Sequence, residues 1–351
     1  MPVTIDPIGA IGPAQNSDWK LEPLAHAREL PPAAGALARV LERPDNAALM
    51  ERFIAADREA IKTQASYLSW SGRAFLCRFL SIVCGTVALL DIAGLLPAGV
   101  ANLGLSFQYG FIAASLVIGL MLSVREPFER WMRERAAAEN ARLDLFSKIT
   151  SATEPERPGE LPLLPLQLEY FRRFMLDAQR RYYRKRGLEH ARSAGGTKQW
   201  QYTVMGLTVL ALFVAALGFL GTFTGVALPG VLRALADAAV SDRGQLVMLA
   251  GGIVASALGD LTAALSLASL DKRNAARYLS NADNLDFLSE KYLAEARAAA
   301  AAGDRGQTQS FIDLVQGIIS SEHREWTQLR DLAKDLTLER FAKMRVPGLK
   351  R

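Results

Sequence analysis

Two carboxylates stand inside long apolar runs of this sequence, where an acid can gate an ion path or bind a partner helix. Asp260 is the one charge in Leu246–Leu270, and Asp91 interrupts Phe79–Ala101. A charge facing lipid at mid-bilayer costs several kcal/mol, so each acid is expected to face protein or water. At helical spacing Asp260 shares a face with Gly252, Ser256, Ala263 and Ala264, all small. Two readings of Asp260 stay open: a pore-lining or gating carboxylate, with Ser256 beside it, or an acid kept protonated or bonded across a helix interface. The same two readings, pore-lining or packing, stand for Asp91, with the structural one favoured because Pro97 and Gly99 shift it toward a turn. A further seam, Thr208, Ala211, Ala215, Gly218, Thr222 and Gly225, carries the glycine pair Gly221 and Gly225 four apart. Small residues at this spacing let helices pack backbone to backbone, within one chain or between subunits.

Reactive chemistry is not expected. GxxxxGK, GxGxxG, HExxH, CxxC and GxSxG are all missing from the sequence. His26, His190 and His323 are scattered, so neither a metal site nor a cofactor is expected, and the chain is not read as an enzyme. Cys77 and Cys84, seven apart on one helix, stand about 10 Å apart along its axis, too far for a disulfide. The basic stretch Arg172–Lys198 is explained by anionic headgroups where it stands, so nucleic acid is not expected as a partner.

Long helices must position these residues. The chain's apolar residues concentrate in four blocks, Phe79–Ala101, Leu103–Val124, Tyr202–Leu228 and Leu246–Leu270, each long enough to cross a hydrocarbon core about 30 Å thick. Lys62, Arg73 and Arg78 precede the first block, and Arg125, Arg130, Arg133 and Arg135 follow the second. Arg180 to Lys198 precede the third, and Lys272, Arg273 and Arg277 follow the fourth. The turn Pro97–Asn102 carries no charge and the turn Pro229–Gln245 balances its charges, so both termini are expected in the cytoplasm. The fold class is therefore all-α: an integral membrane protein with four transmembrane helices in two hairpins and cytosolic helical bundle or coiled-coil arms. Met1–Lys20 has no basic and apolar signal pattern, so insertion into the inner membrane is expected to use the spans themselves.

The domain reading places a mostly irregular tail, with at most one short helix, at 1–44 and a first two-span module at 45–150. A Pro-rich linker at 151–165 leads to a second two-span module at 166–340 and a tail at 341–351. Pro44-Asp45-Asn46 starts a helix leading to the membrane, Pro127 starts the arm after the second span, and Gly195-Gly196 ends the basic segment before the third. After the fourth span, Tyr278, Leu285 and Tyr292 recur every seven. Beyond Gly303-Asp304-Arg305-Gly306, Phe311, Leu314, Val315, Ile318, Ile319, Trp326, Leu329 and Leu336 form one stripe. The halves share one plan in one orientation, a parallel repeat with little shared text.

This layout resembles the SLATT family, the two-transmembrane effectors associated with nucleotide-signalling systems of bacterial antiphage defence. In the second half the resemblance is carried by Tyr170-Phe-Arg-Arg-Phe through Gln179-Arg-Arg-Tyr-Tyr183, the hairpin, Tyr278, and Phe311 to Glu322-His-Arg-Glu-Trp326. The first half looks like a more divergent module of the same kind. The resemblance implies a membrane-disrupting, pore-forming effector without catalytic residues, triggered by an upstream sensor. No sensor domain is seen in the sequence, so a separate partner is expected, and because a single four-helix subunit packs shut, a homo-oligomer is expected. Two rivals stand beside it: a membrane scaffold that recruits a soluble partner, and a small channel or transporter.

Overall fold

Proline and glycine set most of the helix boundaries. The structure, a computed structural model, describes residues 21–97, 100–224, 230, 233, 234, 241–269 and 271–321. Side chains are described for these except 197, 198, 201, 204, 207, 208, 211, 212, 214–224, 248, 263 and 265–269. Helices α1 (Pro23–Glu29) and α2 (Gly35–Leu41) precede the long α3 (Pro44–Ile92). There follow α4 (Val100–Arg125), α5 (Pro127–Ser151), α6 (Leu163–Phe171), α7 (Asp177–Thr224), α8 (Asp242–Ser269) and α9 (Asp271–Ala301), then α10 at 305–321. A π turn, Arg172–Leu176, joins α6 to α7. Among the described residues there is no strand.

α3 stops at a left-handed glycine: Gly94 has φ 72°, its N–H reaches Asp91 O at 2.8 Å and Leu95 N–H reaches Leu90 O at 2.9 Å. These two bonds satisfy the last carbonyls of the helix, and only glycine takes that backbone without strain. Gly303, at φ 78°, ends α9 in the same way. Between α4 and α5, Glu126 has φ 43°, because Pro127 bars the residue before it from helical geometry. The expected break at Gly195-Gly196 is not found: α7 runs through both. Two glycines cost about 2 kcal/mol of helix propensity, which a helix of 48 residues packed at its start can absorb.

The chain divides into two compact units, each built from both halves of the sequence. The first takes residues 1–64, 127–189 and 275–351, the second 65–126 and 190–274. The core of the first unit gathers where α6 meets α7. Tyr170, Phe171, Phe174 and Met175 are buried there with Leu37, Val40 and Leu41 of α2 and with Leu145, Phe146 and Ile149 of α5. Leu285 of α9 and Val315 of α10 complete it. Burying one such side chain contributes about 1.5–3 kcal/mol, so this cluster organises the unit.

The expected N-terminal tail is corrected by this core. Residues 21–41 carry two helices that bury Leu21, Ala34, Ala36, Leu37, Val40 and Leu41 completely, and of the expected tail only residues 1–20 lie outside the described ones. The fastening comes from residues more than a hundred positions away. The Arg39 guanidinium donates to both oxygens of Glu160, at 2.8 and 2.9 Å, and to Glu154 at 3.1 Å, while Arg43 donates to Glu154 at 2.8 Å. This bidentate grip holds the Glu160 carboxyl down at about 2. Gln167, fully buried, donates to Ile149 O and Ala152 O at 2.6 and 2.8 Å, closing the end of α5. The proline-rich segment between α5 and α6 is thus tied at several points.

Three helical stretches are long and apolar enough to cross a bilayer, within Pro44–Ile92, Val100–Ser151 and Asp242–Thr262. Only 17, 6 and 12 % of their apolar windows are buried, so protein does not cover them. The remaining apolar block, the third in the sequence, follows α7 as far as Thr224; its last residues, 225–228, lie outside the described ones. The first block needs a correction as well. α3 ends at Ile92 and α4 begins at Val100, so the hairpin turn falls inside Phe79–Ala101 rather than at 97–102.

Candidate membrane site

Within the second unit, α3 and α4 pack antiparallel along a seam of small and polar residues. On α3, Ser71, Ala74, Ser81 and Ala88 are buried at 3/4 spacing; on α4, Gly104 and Ser115 are buried. Four contacts fix the register. Asp91 accepts the backbone N–H of Ala101. A Cβ on Gly104 would stand 3.0 Å from Cys84 O and 3.1 Å from Ala88 Cβ. The Gln108 amide lies over Gly85, where a Cβ would meet its Nε2 at 2.7 Å. Nearer the arms, Arg78 Nε–H donates to Ser115 Oγ at 3.2 Å, and the Ser115 hydroxyl reaches Ala74 O at 3.5 Å.

Each contact answers a need of helices in lipid. An N–H without a partner in hydrocarbon costs several kcal/mol, and the Asp91 carboxylate supplies one for the first turn of α4. Glycine at 85 and 104 lets the other helix come close, which is what attracts helices where no hydrophobic effect can. The outer faces are apolar. Leu76, Ile82, Leu89 and Ile92 on α3 are exposed, as are Leu103, Phe107, Leu116, Val117, Leu120 and Val124 on α4.

Asp260 lies on α8, nine residues before its end at Ser269, about 14 Å along the axis. Asp260, Ser256 and Gly252 are all exposed, while Ala250 and Ala257 are buried. The polar face of this helix is therefore uncovered by its own chain. Asp260 lies on α8 and Asp91 on α3, where Asp91 is already used at the turn into α4. Of the expected third-span seam, Thr208, Ala211, Ala215, Gly218, Gly221 and Thr222 fall on α7, but their side chains are outside the described ones, and Gly225 lies outside the described residues. The same holds for Trp326 and the rest of the final stripe beyond 321.

Sequence reasoning missed the seam of the first hairpin. Its signal was present as Ser71, Ala74, Arg78, Ser81, Gly85 and Ala88, alternating three and four apart, but the run crosses the boundary drawn between arm and span. Within the second unit, Asp271 bonds the His190 ring at 2.6 Å and accepts from the Ser193 hydroxyl at 2.6 Å, tying α7 to the start of α9. Among the described residues no cluster of His, Cys, Asp and Glu could hold a metal ion.

Neither a curated protein nor a solved structure matches the chain. The residues that carry the resemblance in the second half lie outside the family match that is found. That match falls on the module read as the more divergent one: residues 51–143, which span the α3–α4 hairpin and reach into α5, match the family described as SMODS and SLOG-associating 2TM effector domain 3.

Proposed function

We propose that this protein is a membrane effector of a bacterial conflict system, assembling from several copies and opening an ion path when a partner sensor acts on its helical arms. Four spans cross the inner membrane in two hairpins, with both termini and the first unit in the cytoplasm. The observation that carries the reading is Asp260, a carboxylate on an apolar helix that its own chain leaves uncovered. Hydrocarbon does not tolerate that face, and a neighbouring copy or a water path relieves it. The match to a two-transmembrane effector domain supports the same reading. Arms and spans have separate tasks, association and conduction, and no bond-making chemistry is assigned to either.

The test is membrane potential in bacteria carrying the protein with its neighbouring genes and their trigger. Depolarisation is expected on triggering, and Asp260→Leu is expected to reduce ion passage by about tenfold while the chain stays in the membrane fraction. An unchanged potential with trigger and partners all present would sink the reading.

A further inference from the structure

The two legs of the first hairpin are unequal. Arg78 lies 14 residues from the end of α3 at Ile92, about 21 Å along the helix. On α4, 25 residues from Val100 to Val124, about 37 Å, precede the first charge, Arg125. With the turn at one face of a core about 30 Å thick, Arg78 stands about 9 Å inside the opposite face. An independent marker agrees. The Arg73 guanidinium lies 4.9 Å from the centroid of the Trp70 ring, an interfacial pair placed one to two turns beyond Arg78. Raising Arg78 to the surface instead would lift Leu116, Val117 and Leu120, all exposed on α4, out of the hydrocarbon.

Ser115 is level with Arg78 and accepts its Nε–H, so the guanidinium is held across the hairpin rather than trailing toward the arms. Both Nη groups stay available on an exposed side chain, and among the described residues no carboxylate pairs with it. A planar cation with two donors side by side fits the oxygens of a phosphate. We propose that Arg78 binds the headgroup phosphate of a phospholipid in the arm-side leaflet, drawing phosphate and water inward and thinning that leaflet at each hairpin. The proposal rests on the hairpin crossing the bilayer, but not on pore formation.

The full-length chain with Cys84→Ser keeps Cys77, next to Arg78, as its one thiol. It is reconstituted in phosphatidylglycerol vesicles and treated with a charged, membrane-impermeant methanethiosulfonate on the arm side. Cys77 is expected to react about tenfold faster with Arg78 than with Arg78→Leu, and Arg78→Lys is expected to keep most of the fast rate. In bilayers of a phosphate-free galactolipid the rate should fall and inorganic phosphate should not restore it. Restoration by inorganic phosphate would overturn a lipid source, and equal rates in the Arg78 and Arg78→Leu chains would overturn the site itself. Release of the chain by alkaline carbonate would instead remove the membrane reading beneath both proposals.

Discussion

Gly104 offers the sharpest test of the hairpin seam. A Cβ there would lie 3.0 Å from Cys84 O, 3.1 Å from Ala88 Cβ and 3.3 Å from Ala88 N, with two of the three contacts to backbone atoms. Backbone cannot swing away as a side-chain tip can, so the helices themselves must separate. Gly104→Ala gains about 1 kcal/mol of helix propensity and loses about 1–3 kcal/mol to overpacking, a net change between neutral and about 2 kcal/mol unfavourable. Gly104→Leu keeps a similar propensity gain but forces a larger separation, which also stretches the Arg78–Ser115 bond. Ala88→Gly removes one of the contacts but gives up about 1 kcal/mol of helix propensity, so it should cost about 0.5–1 kcal/mol less in the Gly104→Ala chain than in the unsubstituted one. The assay is thermal inactivation of the full-length chain in detergent, read as the temperature at which half leaves solution. The expected order is the unsubstituted chain, then Gly104→Ala, then Gly104→Leu, with the cost of Ala88→Gly smaller beside Gly104→Ala than alone. A Gly104→Leu chain as stable as the unsubstituted one would refute the close approach.

Two further predictions concern pH and the first unit. His26 stacks on Phe174 with ring centroids 4.2 Å apart and lies 3.0 Å from the Tyr170 hydroxyl; burial first, and Arg173 second, lower its pKa from 6.5 to about 4. The unfolded chain then binds the extra proton, so this contribution is complete above 6.5 and is lost as pH falls toward 4. Urea midpoints should decline across that window and flatten in His26→Phe; an equal decline in both would refute the assignment. Glu160, held near 2 by Arg39, contributes above about 4.5 and loses its contribution as pH falls toward 2. Arg39→Ala should expose the segment it fastens, raising cleavage after Glu156 by glutamyl endopeptidase several-fold at pH 7, whereas unchanged cleavage would show that the grip holds nothing.

Much of the helical plan is legible in the residues. Pro44, Pro127 and the Gly303 turn stand where helices begin or end, because proline and left-handed glycine act through the local backbone alone. The heptad of Tyr278 and Leu285 reads correctly as a buried stripe. What failed was non-local. Residues 21–41 look like a tail because seven-residue helices carry too little periodic signal, and their hold comes from Glu154 and Glu160, far along the chain. Gly195-Gly196 looks like a break because propensity is a sum over neighbours, while α7 is continued by structure on both sides of the pair.

The register of the first hairpin shows the same limit from another side. A hydropathy window measures one helix at a time, so Arg73 and Arg78 count equally as flanking cations that orient the span. Depth belongs to a pair of helices: once Gly104 meets Ala88 and Gln108 lies over Gly85, the level of every residue on α3 is set by α4. α4 stays apolar for about 16 Å beyond the level that α3 reaches at Arg78. Three exposed aliphatic side chains on α4, Leu116, Val117 and Leu120, favour immersion by about 4.5–9 kcal/mol, against roughly 2.5–3.5 kcal/mol for one arginine on an insertion scale. The aliphatic side chains therefore decide the depth, and they turn a topology signal at Arg78 into a charge held within the leaflet.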